Sequence, residues 1–253
     1  MARVRIRFHK LGKIRWTSHR DVARMWERAF RRTELPLAYS VGFSPRPKVS
    51  FGLALPTGHE SVAEYLDVEV ADTPAGAGII ADVGALPAVL SAALPDGVDA
   101  VAAETVPVGT PSLQEAVTSC TWRWTAVAAD EGVVDMTDLA KRVELLLAAP
   151  SVMVTRSRKG AEVTDDIRDA VLDLHVVGPA GSTTTGGVQL QADLACQPRS
   201  LRPSELLAGL GADLVERDTR RLHQWISRDG ARWEPLVAPT EATDAPHALG
   251  RAS

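Results

Sequence analysis

Residues 3–8 read Arg-Val-Arg-Ile-Arg-Phe, a strict alternation that sets Val4, Ile6 and Phe8 on one face of a strand and Arg3, Arg5 and Arg7 on the other. Gly12 permits a turn, and residues 13–17 predict a short returning strand. Ser18 stands three residues before Asp21, a capping-box spacing with the shorter acid, and predicts a helix start. Val22, Trp26, Ala29 and Phe30 then form its apolar stripe, while Arg20, Arg24, Arg28 and Arg31 fall on a second shared face. Alternation returns at 49–55, where Val49, Phe51, Leu53 and Leu55 interleave with Lys48, Ser50 and Gly52. It recurs at 62–70, where Leu66, Val68 and Val70 interleave with Asp67 and Glu69. An Ala- and Leu-rich segment at 76–94 predicts a helix, and 97–108 a further strand.

The order of strand, helix, strand, strand, helix, strand is that of a ferredoxin-like α+β unit. It recurs farther along, with strands at 121–128 and 151–156, a helix at 136–148, a hairpin of 167–177 with 188–195, a helix at 203–210 and a strand at 221–227. The expected fold class is therefore α+β, two tandem ferredoxin-like units with antiparallel sheets. The expected division is a basic first domain at 1–106, a connector at 107–118, a second domain at 119–236 and a disordered tail at 237–253. That tail is polar and rich in Ala and Pro.

Charge sharpens this picture. The net charge of −4 conceals 13 Lys or Arg against 3 Asp or Glu in residues 1–50, a local balance of +10. A polyanionic partner for the first part is one explanation, and docking on the chain's own acidic remainder is the other. No apolar run reaches the ~18 residues of a membrane span, and the basic start lacks the apolar core of a secretory signal. A soluble cytoplasmic protein is expected. Cys120 and Cys196 stand 76 residues apart with no closely spaced pairs, so no structural zinc or iron–sulfur cluster is expected, and with no Walker-type phosphate loop and no GxGxxG no cofactor is expected. Two buried thiols are the expected state.

The stretch YSVGFSPRPKVSFG, residues 39–52, holds the strongest candidate chemistry. Pro45 and Pro47 fix two backbone angles and push Ser44 and Arg46 toward extended geometry. Arg46 and Lys48 then project to one side of a stiff arm. Such an arm suits a phosphate backbone, and it equally suits a rigid crossover with its cations in water. Trp16, Tyr39 and Phe43 are the aromatic candidates for base stacking, the last two beside these cations. A second basic cluster, Arg156, Arg158 and Lys159, surrounds Gly160. Asp165 and Asp166 follow; adjacent strand residues face opposite ways, so an Asp–Arg ion pair that orients the basic loop is expected rather than a paired-carboxylate centre. His19, at a helix start, is the candidate base, without any accompanying nucleophile motif.

Residues 8–70, with PSLQEAV (111–117), RKGAEVTDDIRDAV (158–171) and LRPSELL (201–207), resemble the bacterial radical-SAM-linked proteins, a family of undefined function. The resemblance covers most of residues 3–227. It implies a partner, a radical S-adenosylmethionine (SAM) enzyme of which members are extensions or near which they are encoded, in a neighbourhood of ribonuclease and ribosomal-protein genes. Two distant cysteines cannot hold that enzyme's cluster, so an accessory role is implied. The element order is also similar to that of tandem ferredoxin-like RNA-binding proteins, among them endonucleases in which a histidine near the first helix cuts RNA without metal.

The expectation is thus a non-catalytic RNA-binding accessory that presents tRNA or rRNA to a radical SAM enzyme. Arg3, Arg5, Arg7, Arg20, Arg24, Arg28, Arg46 and Lys48 would contact phosphates, Tyr39 and Phe43 bases, and Arg156, Arg158 and Lys159 would extend the track. The alternatives are a metal-independent endoribonuclease using His19 with Tyr39 and Lys48, and a module that docks on the partner enzyme.

Overall fold

In the computed structural model, which describes residues 2–130, 132–158, 160–180 and 186–236, the first alternation becomes strand β1 (Ala2–Lys10). Val4, Ile6 and Phe8 are buried, as the pattern requires. The chain divides into two compact units, residues 2–117 with 224–236, and residues 118–223. No single helix among the described residues is long and apolar enough to cross a membrane. The expected disordered tail lies outside the described residues, as does Lys159; the same holds for the side chain of Arg158.

In the first unit β1 is followed by helix α1 (His19–Arg32). Ser18 caps the helix: its hydroxyl accepts from the Asp21 N–H at 3.2 Å and donates to the Asp21 carboxylate at 2.7 Å. Val22, Trp26, Ala29 and Phe30 are buried on one face, and Phe8 of β1 meets Trp26 edge-on at 5.0 Å. Strands β2 (Val49–Phe51) and β3 (Glu60–Val70) follow, then helices α2 (Pro74–Ala81) and α3 (Leu86–Ser91), strand β4 (Val98–Val106) and the short helix α4 (Leu113–Ala116). The sheet runs β4-β1-β3, with β2 also on β3, and each of these pairs is antiparallel.

Two local expectations are corrected here. Residues 12–16 form a 3-10 turn rather than a returning strand. Gly12 takes φ +70°, and the Lys10 ammonium binds the carbonyls of Arg15 and Thr17 at 3.2 and 3.0 Å, so the segment winds around that cation. The single helix expected at 76–94 is broken into α2 and α3, bent by 77° around a 3-10 turn. Pro87 supplies the reason, since it lacks an N–H and its ring would strike the carbonyl four residues back.

The second unit contains β5 (Ser119–Ala128), α5 (Met136–Ala148), β6 (Met153–Arg158), β7 (Ala161–Asp166), β8 (Val171–Pro179), β9 (Val188–Ala195), α6 (Pro203–Leu210) and the start of β10 (Leu214–Arg228). Its main sheet is β10-β5-β9-β8, and β5–β9 and β8–β9 are antiparallel. Trp124, Leu139, Leu190, Leu194 and Leu206 are buried in this unit. The β8–β9 hairpin matches the expectation from the sequence. The β6–β7 hairpin was not expected, because Val163 is the one large apolar residue of β7 and its neighbours are polar or small. The boundary between units falls within β10, whose last residues pair with β11 (Ala231–Trp233).

Candidate nucleic-acid interface

The stretch that connects α1 to β2 folds back on itself as a finger. Ser40 N–H donates to the Arg46 carbonyl at 2.9 Å, Arg46 N–H to the Ser40 hydroxyl at 3.1 Å, and Lys48 N–H to the Ala38 carbonyl at 2.8 Å. Ala38 N–H and the Lys48 carbonyl both bond to the Glu69 backbone, which fastens the base of the finger to β3. Gly42 lies at the tip at φ +146°, a conformation that favours glycine, with nothing within 4 Å of where a β-carbon would sit. Val41 and Phe43 beside it are wholly exposed.

Between the finger and α1 lies a groove of about 710 Å³. Phe30, Leu35 and Leu37 supply apolar lining. Arg20, Arg24 and Arg31 of α1 line it with Arg46 and Tyr39 of the finger. Helical spacing places the three α1 cations on one edge, and the Pro45–Pro47 constraint holds Arg46 among them. Glu27 is the acidic residue in the lining. Arg24 lies 3.6 Å from Asp21, whose carboxyl is held below its usual range by the Ser18 hydroxyl first, with Arg24 and Arg20 adding. Arg46 makes no side-chain hydrogen bond or ion pair among the described residues, and neither does exposed Arg28.

The expected track is therefore assembled in part. Arg20, Arg24, Arg46 and Tyr39 converge on the groove, joined by Arg31. Arg28 is exposed on α1 but does not line it, and Phe43 stands at the finger tip. Lys48 is held by Glu69 at 2.8 Å on the neighbouring strand. Arg3 donates to the Thr110 carbonyl and lines a different cavity.

Arg5 and Arg7 correct the expectation of an exposed arginine face. They are only 5% and 1% exposed. Arg5 sits directly across from Asp67 and grips it with two bonds of 2.8 and 3.0 Å. Arg7 reaches Glu234 at 2.6 Å and lies 6.0 Å from the Tyr65 ring centroid. The physical reason is desolvation: once this face is covered, each guanidinium needs a carboxylate in reach. Asp67, which alternates with apolar residues in β3 as the arginines do in β1, was the visible signal. Glu234 carried none.

In the second unit Arg156 is also engaged. It binds Asp165 through two nitrogens at 3.0 and 2.9 Å and approaches Glu205 at 3.4 Å. Arg199 completes the ring, 3.1 Å from Asp165 and 2.9 Å from Glu205. The Arg156 hydrogen bond is the main cause of the lowered Asp165 pKa. Asp166 turns the other way and accepts from the N–H groups of Val152 and Arg168, as opposite strand faces require.

His19 lines a separate space of about 10 Å³, with room for one water, alongside Lys10 and Glu64. Its ring meets Phe51 edge-on at 5.2 Å. Tyr39 and Lys48, its expected assistants, are not among the residues that line this space. No three His, Cys, Asp or Glu side chains among the described residues gather as a metal site.

The family model of the uncharacterized proteins conserved in bacteria (DUF2344) matches residues 3–203. The chain belongs to this family. The match spans α1, the finger and the groove. No curated protein matches the chain. Among solved structures, this family member is similar to a chain of a Cbf5-Nop10-Gar1 complex, with TM-score 0.46 and 10% identity over 87% of this chain and 48% of that one. It is similar also to a chain of the archaeal box H/ACA sRNP Nop10-Cbf5 complex, with TM-score 0.42 and 9% identity over 86% and 46%. A third is a chain of an H/ACA RNP bound to a substrate RNA containing 2'-deoxyuridine, with TM-score 0.44 and 10% identity over 87% and 47%. This chain spans about half the length of each.

Proposed function

We propose that this protein is a non-catalytic, cytoplasmic RNA-binding accessory built of two tandem ferredoxin-like units, which presents tRNA or rRNA to a radical SAM enzyme. The β4-β1-β3-β2 adjacency in the first unit and β10-β5-β9-β8 in the second support the fold reading. The first follows the fourth-first-third-second strand order of that architecture, and the second follows it when the separate β6–β7 hairpin is left out of the count. The observation that carries the functional reading is the groove, in which four guanidinium groups and an aromatic ring meet. Guanidinium forks match phosphate oxygens. The finger is stiffened by two prolines and its own hydrogen bonds, so ordering it on a ligand costs little entropy. Tyr39 offers a ring face for an unstacked base, which favours a single-stranded segment.

Filter binding of tRNA, rRNA fragments and total RNA at low salt tests the reading. Binding that weakens as salt rises supports it, because neutralised phosphates release counterions. Absence of affinity for all three at low salt ends it.

A second reading rests on Val41 and Phe43, two apolar side chains fully exposed at the finger tip. It makes the finger a protein contact with the partner enzyme. Co-purification that survives nuclease and is lost in Phe43→Ser supports that role.

A further inference from the structure

The two cysteines, 76 residues apart in sequence, lie together in the second unit with their sulfurs 3.5 Å apart. Cys120 is on β5 and fully buried, and Cys196 stands one residue past β9 and is half-buried. Strand pairing sets Cys120 opposite Leu194, and the Cys196 N–H donates to the Thr118 carbonyl at 2.7 Å. Both thiols are therefore held by backbone already in place. Buried Arg221 places a guanidinium nitrogen 4.0 Å from the Cys120 sulfur. That cation lies over the Trp122 ring, 5.2 Å from its centroid. A paired thiol and a fixed cation make an asymmetric site, with Cys196 partly exposed as a residue and Cys120 buried.

We propose that Cys120 and Cys196 form an oxidisable dithiol site, with Cys196 the attacking sulfur, Cys120 the resolving sulfur and a hydroperoxide the oxidant. The Cys196 thiolate attacks the terminal peroxide oxygen; an S–O bond forms, the O–O bond breaks, and the leaving group takes up a proton, hydroxide from hydrogen peroxide becoming water and alkoxide from an alkyl hydroperoxide becoming an alcohol. Cys120 then attacks the sulfenyl sulfur. An S–S bond forms, the S–O bond breaks, and the Cys120 proton leaves with the hydroxyl as water. Two thiols and one hydroperoxide thus give one disulfide, two electrons passing to the peroxide. The chemical ordering agrees with the surroundings. Cys120 as hydrogen-bond partner, with Arg221 and Ser200 adding, lowers the Cys196 pKa, whereas burial pushes the Cys120 thiol up. A sulfur displacement of about 1.5 Å closes the pair to bonding distance, within the reach of side-chain torsions.

The test is hydrogen peroxide at one equivalent on the full-length protein, read by intact mass and non-reducing peptide mapping. The expected result is loss of two mass units, an intramolecular peptide linking 120 to 196, and reversal by dithiothreitol. Cys120→Ser is expected to trap a sulfenic acid at Cys196 that dimedone captures, and Cys196→Ser to show no adduct at 120 under the same exposure. Two free thiols after one equivalent of peroxide in the unaltered protein, or a crosslink only between molecules, overturns the site. Faster sulfenylation of Cys120 in Cys196→Ser than of Cys196 in Cys120→Ser overturns the assigned order. Because the mapping is performed on the unaltered chain, the result stands even if a serine variant folds poorly.

Discussion

Asp67→Asn isolates the charge that the buried face of β1 depends on. Its carboxylate takes two hydrogen bonds from Arg5, at 2.8 and 3.0 Å, and lies 3.8 Å from Arg3. The amide keeps the shape but removes the charge and one of the two acceptors, which strands the Arg5 guanidinium in a site where it is 5% exposed. Breaking a buried pair by removing one partner costs about 3–5 kcal/mol. With a urea slope of about 3 kcal/mol per M, the midpoint of the first unit's unfolding falls by roughly 1–1.7 M. Urea titration followed by tryptophan fluorescence, to which buried Trp26 contributes, measures it. The double variant Arg5→Met/Asp67→Leu replaces both charges by apolar groups and is expected to recover most of the loss, since no charge is then left unpaired. The folded double variant should also bind RNA as the unaltered protein does, because this pair does not line the groove. A midpoint that moves by less than about 0.3 M in Asp67→Asn, or a double variant less stable than the single, refutes the reasoning.

Ser18→Ala removes the hydroxyl that caps α1 and should cost about 1 kcal/mol, seen as a lower urea midpoint; Ser18→Asp should retain most of it. Gly97→Ala should destabilise the first unit by more than about 1 kcal/mol, because φ is +87° and a β-carbon would sit 2.4 Å from the Leu11 carbonyl; an unchanged thermal midpoint contradicts this. Asp165 titrates below the usual aspartate value owing to Arg156. Its contribution to stability is therefore present above the unfolded value of about 3.9 and is lost as pH falls through the lower folded value. Carboxyl NMR titration should show its midpoint rise toward an ordinary aspartate in Arg156→Gln. His19→Ala should leave RNA affinity within about twofold, as its loss removes at most one weak exposed contact; RNA cleavage abolished by this change would instead favour the nuclease alternative.

Much of this architecture was legible because periodicity encodes burial. Val4, Ile6 and Phe8, and the Val22–Trp26–Ala29–Phe30 stripe, were identified by spacing alone and are buried together. The helix starts at Ser18 and Pro203 and the extent of α5 were equally local in origin. The failures have different physical causes. Polar β7 offered no apolar alternation to read, and the Lys10 ammonium wound the next segment through contacts no propensity describes. At the site, exposure was the hidden quantity. Arg5 and Arg46 look alike in sequence, yet one faces Asp67 across a strand pair and the other extends from a proline-stiffened finger. Charge alternation in β3 opposite that in β1 was available as a clue to Arg5. Arg7 depended on Glu234, more than two hundred residues away, and nothing local announced it. The thiol pair likewise required the register of β5 against β9.

The most direct test of the central claim is the salt dependence of single-stranded RNA binding by the unaltered protein and by Arg20→Ala/Arg24→Ala/Arg46→Ala, followed by fluorescence anisotropy. Each lost phosphate contact should flatten the slope of log affinity against log salt by about 0.7. The triple variant should therefore lose about 2 units of slope and most of its affinity at low salt, while its urea midpoint holds. Equal slopes for the two proteins, or no binding by either, would contradict a phosphate-binding groove between α1 and the finger.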